Sequence, residues 1–226
     1  IISPYLYKDA DGEFMGIDVE IATEALHRMG YEPEFKLIVW ENKNKLLEDG
    51  EVDCIWGCFS MNGREDKYLW AGPYLYSRQM VAVRMDSEIQ KLKDLTGKMI
   101  AVQETSKAEE YFLRSDFEGI PDVSLVYCFS NMDEVFAALR KNYVEAICGH
   151  ESALISFINT APDEYRLLDE SFLYSALGVA FDIQYDEEFV EELVKTLGDM
   201  MNDGTTAAIV GKYGLDAEKS LGRGND

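Results

Sequence analysis

Arg64 stands in a stretch whose residue types are suited to holding a small anion. The stretch runs Trp56-Gly57-Cys58-Phe59-Ser60-Met61-Asn62-Gly63-Arg64 and continues through Tyr68-Leu69-Trp70-Ala71-Gly72-Pro73-Tyr74. Val52 to Trp56 reads as the end of a buried strand, and the loop beyond it is small, polar and aromatic, with a turn at Gly72-Pro73. A guanidinium is a planar, permanently charged fork that matches a carboxylate with two parallel hydrogen bonds. Just past a strand end that borders a cleft, it would hold an anion; the alternative is a loop arginine in solvent. His150, followed by Glu151, could shuttle a proton, since the reference pKa of a histidine lies near neutrality.

Other chemistries find less support. Cys54, Cys58, Cys128 and Cys148 are scattered, and the four-residue step between the first two fits neither a metal pair nor a redox motif. Buried free thiols are expected in preference to a disulfide. The only histidines are His27, read as a surface residue of a helix, and His150, with no ligand cluster around either, so no metal is expected. No cofactor motif and no nucleophile–base pair stands out.

The elements that must position these residues emerge from periodicity. Lys8 to Glu13 is a polar turn. Gly16 to Gly30 reads as an amphipathic helix with Ile21, Ala22, Ala25, Leu26 and Met29 on one face and Asp18 as candidate N-cap. Phe35, Leu37 and Val39 alternate as in a strand that ends at Trp40. A short helix over about Asn42–Glu48 and the strand Asp53–Trp56 complete a strand-helix-strand-helix-strand order, for which parallel pairing is the natural assembly. Gln79–Arg84 is extended, Lys91–Lys98 is a helical turn, and Met99–Val102 opens a second set. It comprises helix Ser106–Arg114, strand Ser124–Cys128, a helix capped by Asn131 with Glu134, strand Val144–Cys148 and a helix to Ile158. The Asn131 helix draws its apolar face from Val135, Phe136, Leu139 and the stem of Arg140. Tyr174–Phe181 is again extended, and Asp186–Met201 is a long helix with Phe189, Leu193, Leu197 and Met200 on one face. Asp203-Gly204 breaks it, and a last helix ends near Tyr213.

Two α/β sets separated by two extended segments predict two lobes joined by two crossings, with a cleft between them. Lobe 1 is expected over 1–82 and 180–226, and lobe 2 over 83–179. At 226 residues, 47% hydrophobic and 28% charged, the chain can bury a core in either lobe. The net charge of −22 argues against nucleic acid and anionic lipid as partners, since both need a basic face. No apolar run approaches the roughly 18–20 residues of a membrane span, and the opening residues carry no signal-peptide pattern. The abrupt, strand-like start at Ile1-Ile2-Ser3-Pro4 is what a domain excised from its targeting parts would show.

Several segments together resemble a known family, the amino-acid-type (family 3) extracellular solute-binding proteins. They are Pro4-Tyr5, Gly16-Ile17-Asp18-Val19-Glu20-Ile21-Ala22, Val52-Asp53, Gly63-Arg64-Glu65 to Gly72-Pro73-Tyr74, and Gly97 to Val102. Leu139-Arg140-Lys141 to Ala146 and Asp203-Gly204-Thr205 to Gly214 complete the set. The resemblance implies a type II periplasmic-binding-protein fold, α/β and two-lobed, closing on a small ligand. It implies Arg64 as the clamp on a ligand carboxylate, Trp40 as a stacking aromatic, and Gly57 as a backbone contact. Ser106 and Lys107 then form a loop whose helix N-terminus suits a carboxylate. Departures from the family pattern are Phe59, where Ser or Thr is usual, and His150, where an Asp usually pairs with the ligand ammonium. Glu151 would replace that Asp if it turned inward. Ile2 stands where a second stacking aromatic is common, a role open to Tyr5 or Tyr7.

The resemblance therefore implies a non-enzymatic domain that binds an amino-acid-like or other carboxylate ligand without a cofactor. It would lie in an extracellular or periplasmic location, tied to the membrane by an anchor or fused segment. Its partner would be a membrane permease for ABC uptake or a fused signalling module. The alternatives are an enzyme like cyclohexadienyl dehydratase, which shares the fold, and a degenerate interaction domain.

Overall fold

The computed structural model describes residues 4–113 and 119–222. The expected first strand, Ile2 and the helix end at Arg114 lie outside the described residues. In chain order the elements are β1 (Tyr7–Lys8), β2 (Phe14–Met15), α1 (Ile17–Arg28), a 3₁₀ turn at Trp40–Asn42, α2 (Lys43–Glu48), β3 (Cys54–Ile55) and β4 (Leu69–Arg84). A second 3₁₀ turn at Leu92–Leu95 leads to β5 (Met99–Gln103), α3 (Lys107–Leu113), β6 (Leu125–Phe129), α4 (Met132–Arg140), β7 (Ala146–His150) and α5 (Glu151–Ile158). Then come β8 (Tyr165–Leu167), β9 (Leu173–Phe181), α6 (Glu187–Asn202), α7 (Thr205–Lys212) and α8 (Ala217–Ser220). Two compact units result: one takes residues up to Ser77 and resumes at Ser175, the other is Arg78–Tyr174. The crossings thus fall at 77/78 and 174/175, a few residues before the 82/83 and 179/180 read from the sequence.

In the first unit β1 and β2 form a hairpin whose turn is tied by the Asp9 carboxylate, which accepts from the Asp11 and Glu13 amides, each at 2.9 Å. Helix α1 buries Ile17, Ile21, Ala22 and Ala25, and α6 buries Val190, Leu193, Leu197 and Met200. Most of these meet Tyr5, Leu75, Val179 and Phe181 in one apolar core. Asp186 caps α6 by accepting from the Glu188 and Phe189 amides.

Three expectations are corrected here. Asp18 is not the N-cap of α1; Gly16 is, and Asp18 is buried within the first turn. β3 pairs antiparallel with β9 rather than parallel, with Cys54 opposite Phe181 and Ile55 opposite Ala180. Phe35–Val39 forms no ladder, and Leu37 and Val39 stay exposed. Alternation marks a face that fits a sheet, but only a neighbouring strand makes it one.

The second unit is the parallel one. Central β5 pairs parallel with β6 and β7, and β4 joins antiparallel to β7 and β8. Strands β5 and β7 are largely apolar because both of their faces are covered. Met80, Ala82, Ala101 and Ile147 pack with Val135, Leu139, Leu154 and Phe157 from α4 and α5. The intervening Val81, Val83, Ile100, Val102, Ala146 and Cys148 face Leu95, Tyr111 and Phe112. Odd and even residues of each strand thus serve different cores, as the period of two requires. Asn131 caps α4 as expected, accepting from the Glu134 amide at 3.0 Å, while the Glu134 carboxylate accepts from the Ser130 hydroxyl.

Candidate functional site

The Arg64 loop is built from the interior outward. Beyond β3 the backbone passes through a left-handed conformation at Cys58 (φ 54°), uncommon for a residue with a side chain. Asp18 holds it there. Its carboxylate accepts from the Cys58 amide at 2.8 Å and from the Tyr74 hydroxyl at 2.9 Å, in a position only 2% exposed. Burial pushes the Asp18 carboxyl up to about 7, against the pull of those two hydrogen bonds.

Past Cys58 the chain adds onto β9. The Gly178 amide donates to the Phe59 carbonyl at 3.0 Å, and the Met61 amide to the Ala176 carbonyl at 2.8 Å. Asn62 Oδ1 accepts from both the Ala176 amide (2.8 Å) and the Ser60 hydroxyl (3.1 Å). The Arg64 amide then closes a turn onto the Met61 carbonyl. Arg64 itself is half-buried: Nη1 donates to the Ser60 carbonyl at 3.1 Å, and the guanidinium carbon lies 5.3 Å from the Phe59 ring centre. Its own carbonyl accepts from the Trp70 indole at 3.0 Å.

Trp40, Phe59, Tyr68 and Trp70 form one aromatic cluster, with the rings of Trp40, Tyr68 and Trp70 at 4.9, 5.3 and 5.1 Å from that of Phe59. Phe59 lies at the centre of this cluster. Covered on three sides and 1% exposed, it is the filling of the wall, while Trp40 keeps part of its surface. Gly57 stands just before, where an added Cβ would meet only Leu6 at 3.8 Å. Tyr5, 2% exposed, belongs to the other core with Ile17 and Ile21; Tyr7 is half-buried in β1. The structure thus gathers Arg64, Trp40 and Phe59 and sets Tyr5 apart.

Two residues of this wall were not singled out by sequence. Ser60 supplies the carbonyl under Arg64 and a hydroxyl beside it. Lys43, the first residue of α2, is buried with its ammonium 4.8 Å from the Trp40 ring centre. Its only sequence signal is a position three residues after Trp40, which a helical turn brings alongside.

The remaining candidates lie in the second unit. Ser106 starts α3: its hydroxyl donates to the Gln103 carbonyl at 2.5 Å and accepts from the Glu109 amide at 3.2 Å. Glu109 in turn accepts from the amide of Thr105, which has a left-handed backbone (φ 54°). Lys107 is buried and ion-paired to Glu110 at 2.5 Å, so the start of α3 already carries two carboxylates of the chain itself. His150 ends β7, its ring met by the Gln79 side-chain amide at 3.0 and 3.1 Å. Glu151 makes a two-point ion pair with Arg78, whose Nε donates at 2.8 Å and whose Nη2 donates to the other oxygen. That pair and the nearby Tyr174 hold the Arg78 guanidinium above its ordinary value.

The cysteines are free, as expected, but Cys128 is exposed rather than buried. Among the described residues no cluster of metal-ligating side chains occurs, and no helix is long and apolar enough to cross a membrane.

Comparison with known proteins places this geometry in context. The L-cystine-binding protein TcyA of Bacillus subtilis is 25% identical over 222 residues, covering 96% of this chain and 79% of its own. The solved structure of Tv2483 bound to L-arginine is 26% identical with a TM-score of 0.85, covering 94% of this chain and 86% of the other. The ancestral amino-acid-binding protein AncCDT-1, a precursor of cyclohexadienyl dehydratase, shares the fold at TM-score 0.83 and 22% identity, over 94% and 91% of the two chains. Residues 2–216 match the model of the bacterial extracellular solute-binding proteins, family 3, and the chain belongs to that family.

Proposed function

We propose that this domain works outside the membrane, takes a carboxylate-bearing amino-acid-like ligand for ABC uptake, and uses Arg64 as the carboxylate clamp. The observation that carries the reading is the mounting of Arg64. One carbonyl and one ring face fix the guanidinium on a loop that Asn62 and Asp18 brace, so little ordering remains to be done when a carboxylate arrives. Relatives that bind L-cystine and L-arginine support an amino acid, since every such ligand carries an α-carboxylate. Trp40 offers its ring for stacking, and Ser60, rather than Phe59, offers a hydroxyl. The partner is a membrane permease that receives the ligand.

Binding without turnover is part of the reading. Glu151 is engaged by Arg78 at two points and His150 is met by Gln79, an arrangement suited to positioning rather than to proton shuttling. The test is a thermal-shift screen of the amino acids, followed by calorimetry on Arg64→Ala. A bound amino acid should raise the melting temperature. Arg64→Ala should weaken it by at least about 30-fold, the lower end expected for losing a desolvated charge pair. Undiminished binding by Arg64→Ala would sink the clamp, and turnover of prephenate or arogenate would sink the non-enzymatic reading.

A further inference from the structure

We infer that Lys43 is a second anion-holding cation beside Arg64, and that the ligand carries a second acidic group, as an acidic amino acid or a comparable dicarboxylate does. This rests on the reading of Arg64 as the carboxylate clamp. Lys43 is 8% exposed, and its ammonium reaches the Trp40 carbonyl at 3.4 Å and the Trp40 ring. Among the described residues no carboxylate lies within ion-pairing distance of it. In a chain with 43 acidic and 21 basic residues, that is a departure. Lys107, also buried, has Glu110 at 2.5 Å, and even the more exposed Lys45 and Lys212 are paired with Asp49 and Glu20.

The neighbour of Lys43 is another cation. The edge-to-face rings of Trp40 and Phe59 carry Lys43 on one and Arg64 on the other. Burial and the Arg64 charge together draw the Lys43 ammonium below its ordinary proton affinity, which Glu41 only partly offsets. A buried ammonium without a counter-charge is costly, and a second cation nearby adds to that cost. A carbonyl and a ring face offset part of it; an arriving anion would supply the rest. The two cations also differ in what they suit. The arginine fork takes a carboxylate in two parallel bonds, whereas an ammonium is a compact point charge for one further acidic oxygen.

The bland alternative is that Lys43 only packs its stem and head on Trp40. Lys43→Met separates the two, since it keeps the length of the stem and removes the charge. Calorimetry of the whole chain would compare L-glutamate, L-aspartate and succinate with L-glutamine and L-asparagine. The original protein should bind one of the three dicarboxylates at least about tenfold tighter than it binds any of the uncharged amides, as expected of one charge-assisted contact. Lys43→Met should erase that preference and, by removing an uncompensated buried charge, raise the melting temperature of the unliganded protein. Lys43→Gln, which keeps a polar head for the Trp40 carbonyl, replaces it should the methionine variant not fold. Equal binding of acids and amides, equal weakening of both in the variant, or no dicarboxylate bound at all would overturn the inference. Arg64→Ala distinguishes the two levels. If it abolishes binding while Lys43→Met is silent, only the second cation is wrong; if it too is silent, the clamp itself is wrong.

Discussion

Asp18 accepts one hydrogen bond from the loop that carries the candidate site and another from β4, and it does so almost without solvent. Its carboxyl is pushed from 3.8 up to about 7 in the folded chain. The folded state therefore keeps a proton that the unfolded chain releases from about pH 4 upward, and stability from this group falls as pH rises through 7. Asp18→Asn removes the titration. The difference in melting temperature between the original protein and this variant should shrink steadily from pH 4 to pH 7, whereas parallel curves would mean that Asp18 does not titrate there. Arg64 was legible as a candidate in the sequence because a lone arginine in a glycine-rich turn after a strand is a local pattern. The roles of Asp18, Lys43 and Ser60 were not, because each depends on partners that only the fold brings near: Cys58 is forty positions from Asp18, and the charge acting on Lys43 comes from Arg64.

Elements are where local pattern and tertiary demand can be compared directly. Helix α1 starts at Gly16 because nothing larger fits: a Cβ there would lie 2.3 Å from the Tyr5 carbonyl oxygen and 2.8 Å from that of Pro4, at φ 124°. Those two carbonyls accept from the first amides of the helix, Ile17 and Asp18. Gly16→Ala must break this docking, and we expect a loss of about 2–4 kcal/mol in chemical denaturation. A change below about 0.5 kcal/mol would mean that the entry segment does not depend on the contact. Helices α1, α4 and α6 were legible because their apolar stripes are long and their boundaries carry Gly, Asn or Asp signals. Phe35–Val39 was misread for the opposite reason. Its alternation is real, but with no neighbour to complete a ladder the run stays open, and Leu37 and Val39 with it. The antiparallel partner of β3 was equally hidden, since β9 enters the first unit from the far end of the chain.

At the scale of the molecule, the division into two units was legible from the two extended runs that β4 and β9 became, because long apolar strands interrupting helix–strand alternation mark the crossings. The net charge of −22 acts on the whole chain at once. Self-repulsion of this size is screened by salt, so the melting temperature of the unliganded protein should rise between about 10 and 200 mM sodium chloride. Affinity for an anionic ligand at Arg64 should fall over the same range, because the same ions compete with the attraction that holds it. A melting temperature and an affinity that moved together would contradict this pairing of effects.

The four unpaired thiols reach beyond binding. A member of an extracellular family whose cores close without a disulfide should fold under reducing conditions as readily as under oxidising ones, a point that refolding with and without a reductant checks. Of the four, only Cys128 is on the surface, and partial burial with the adjoining Glu109 and Glu104 carboxylates pushes its thiol up to about 12. It is a single covalent handle on β6, slow to react at neutral pH and opened by alkaline conditions.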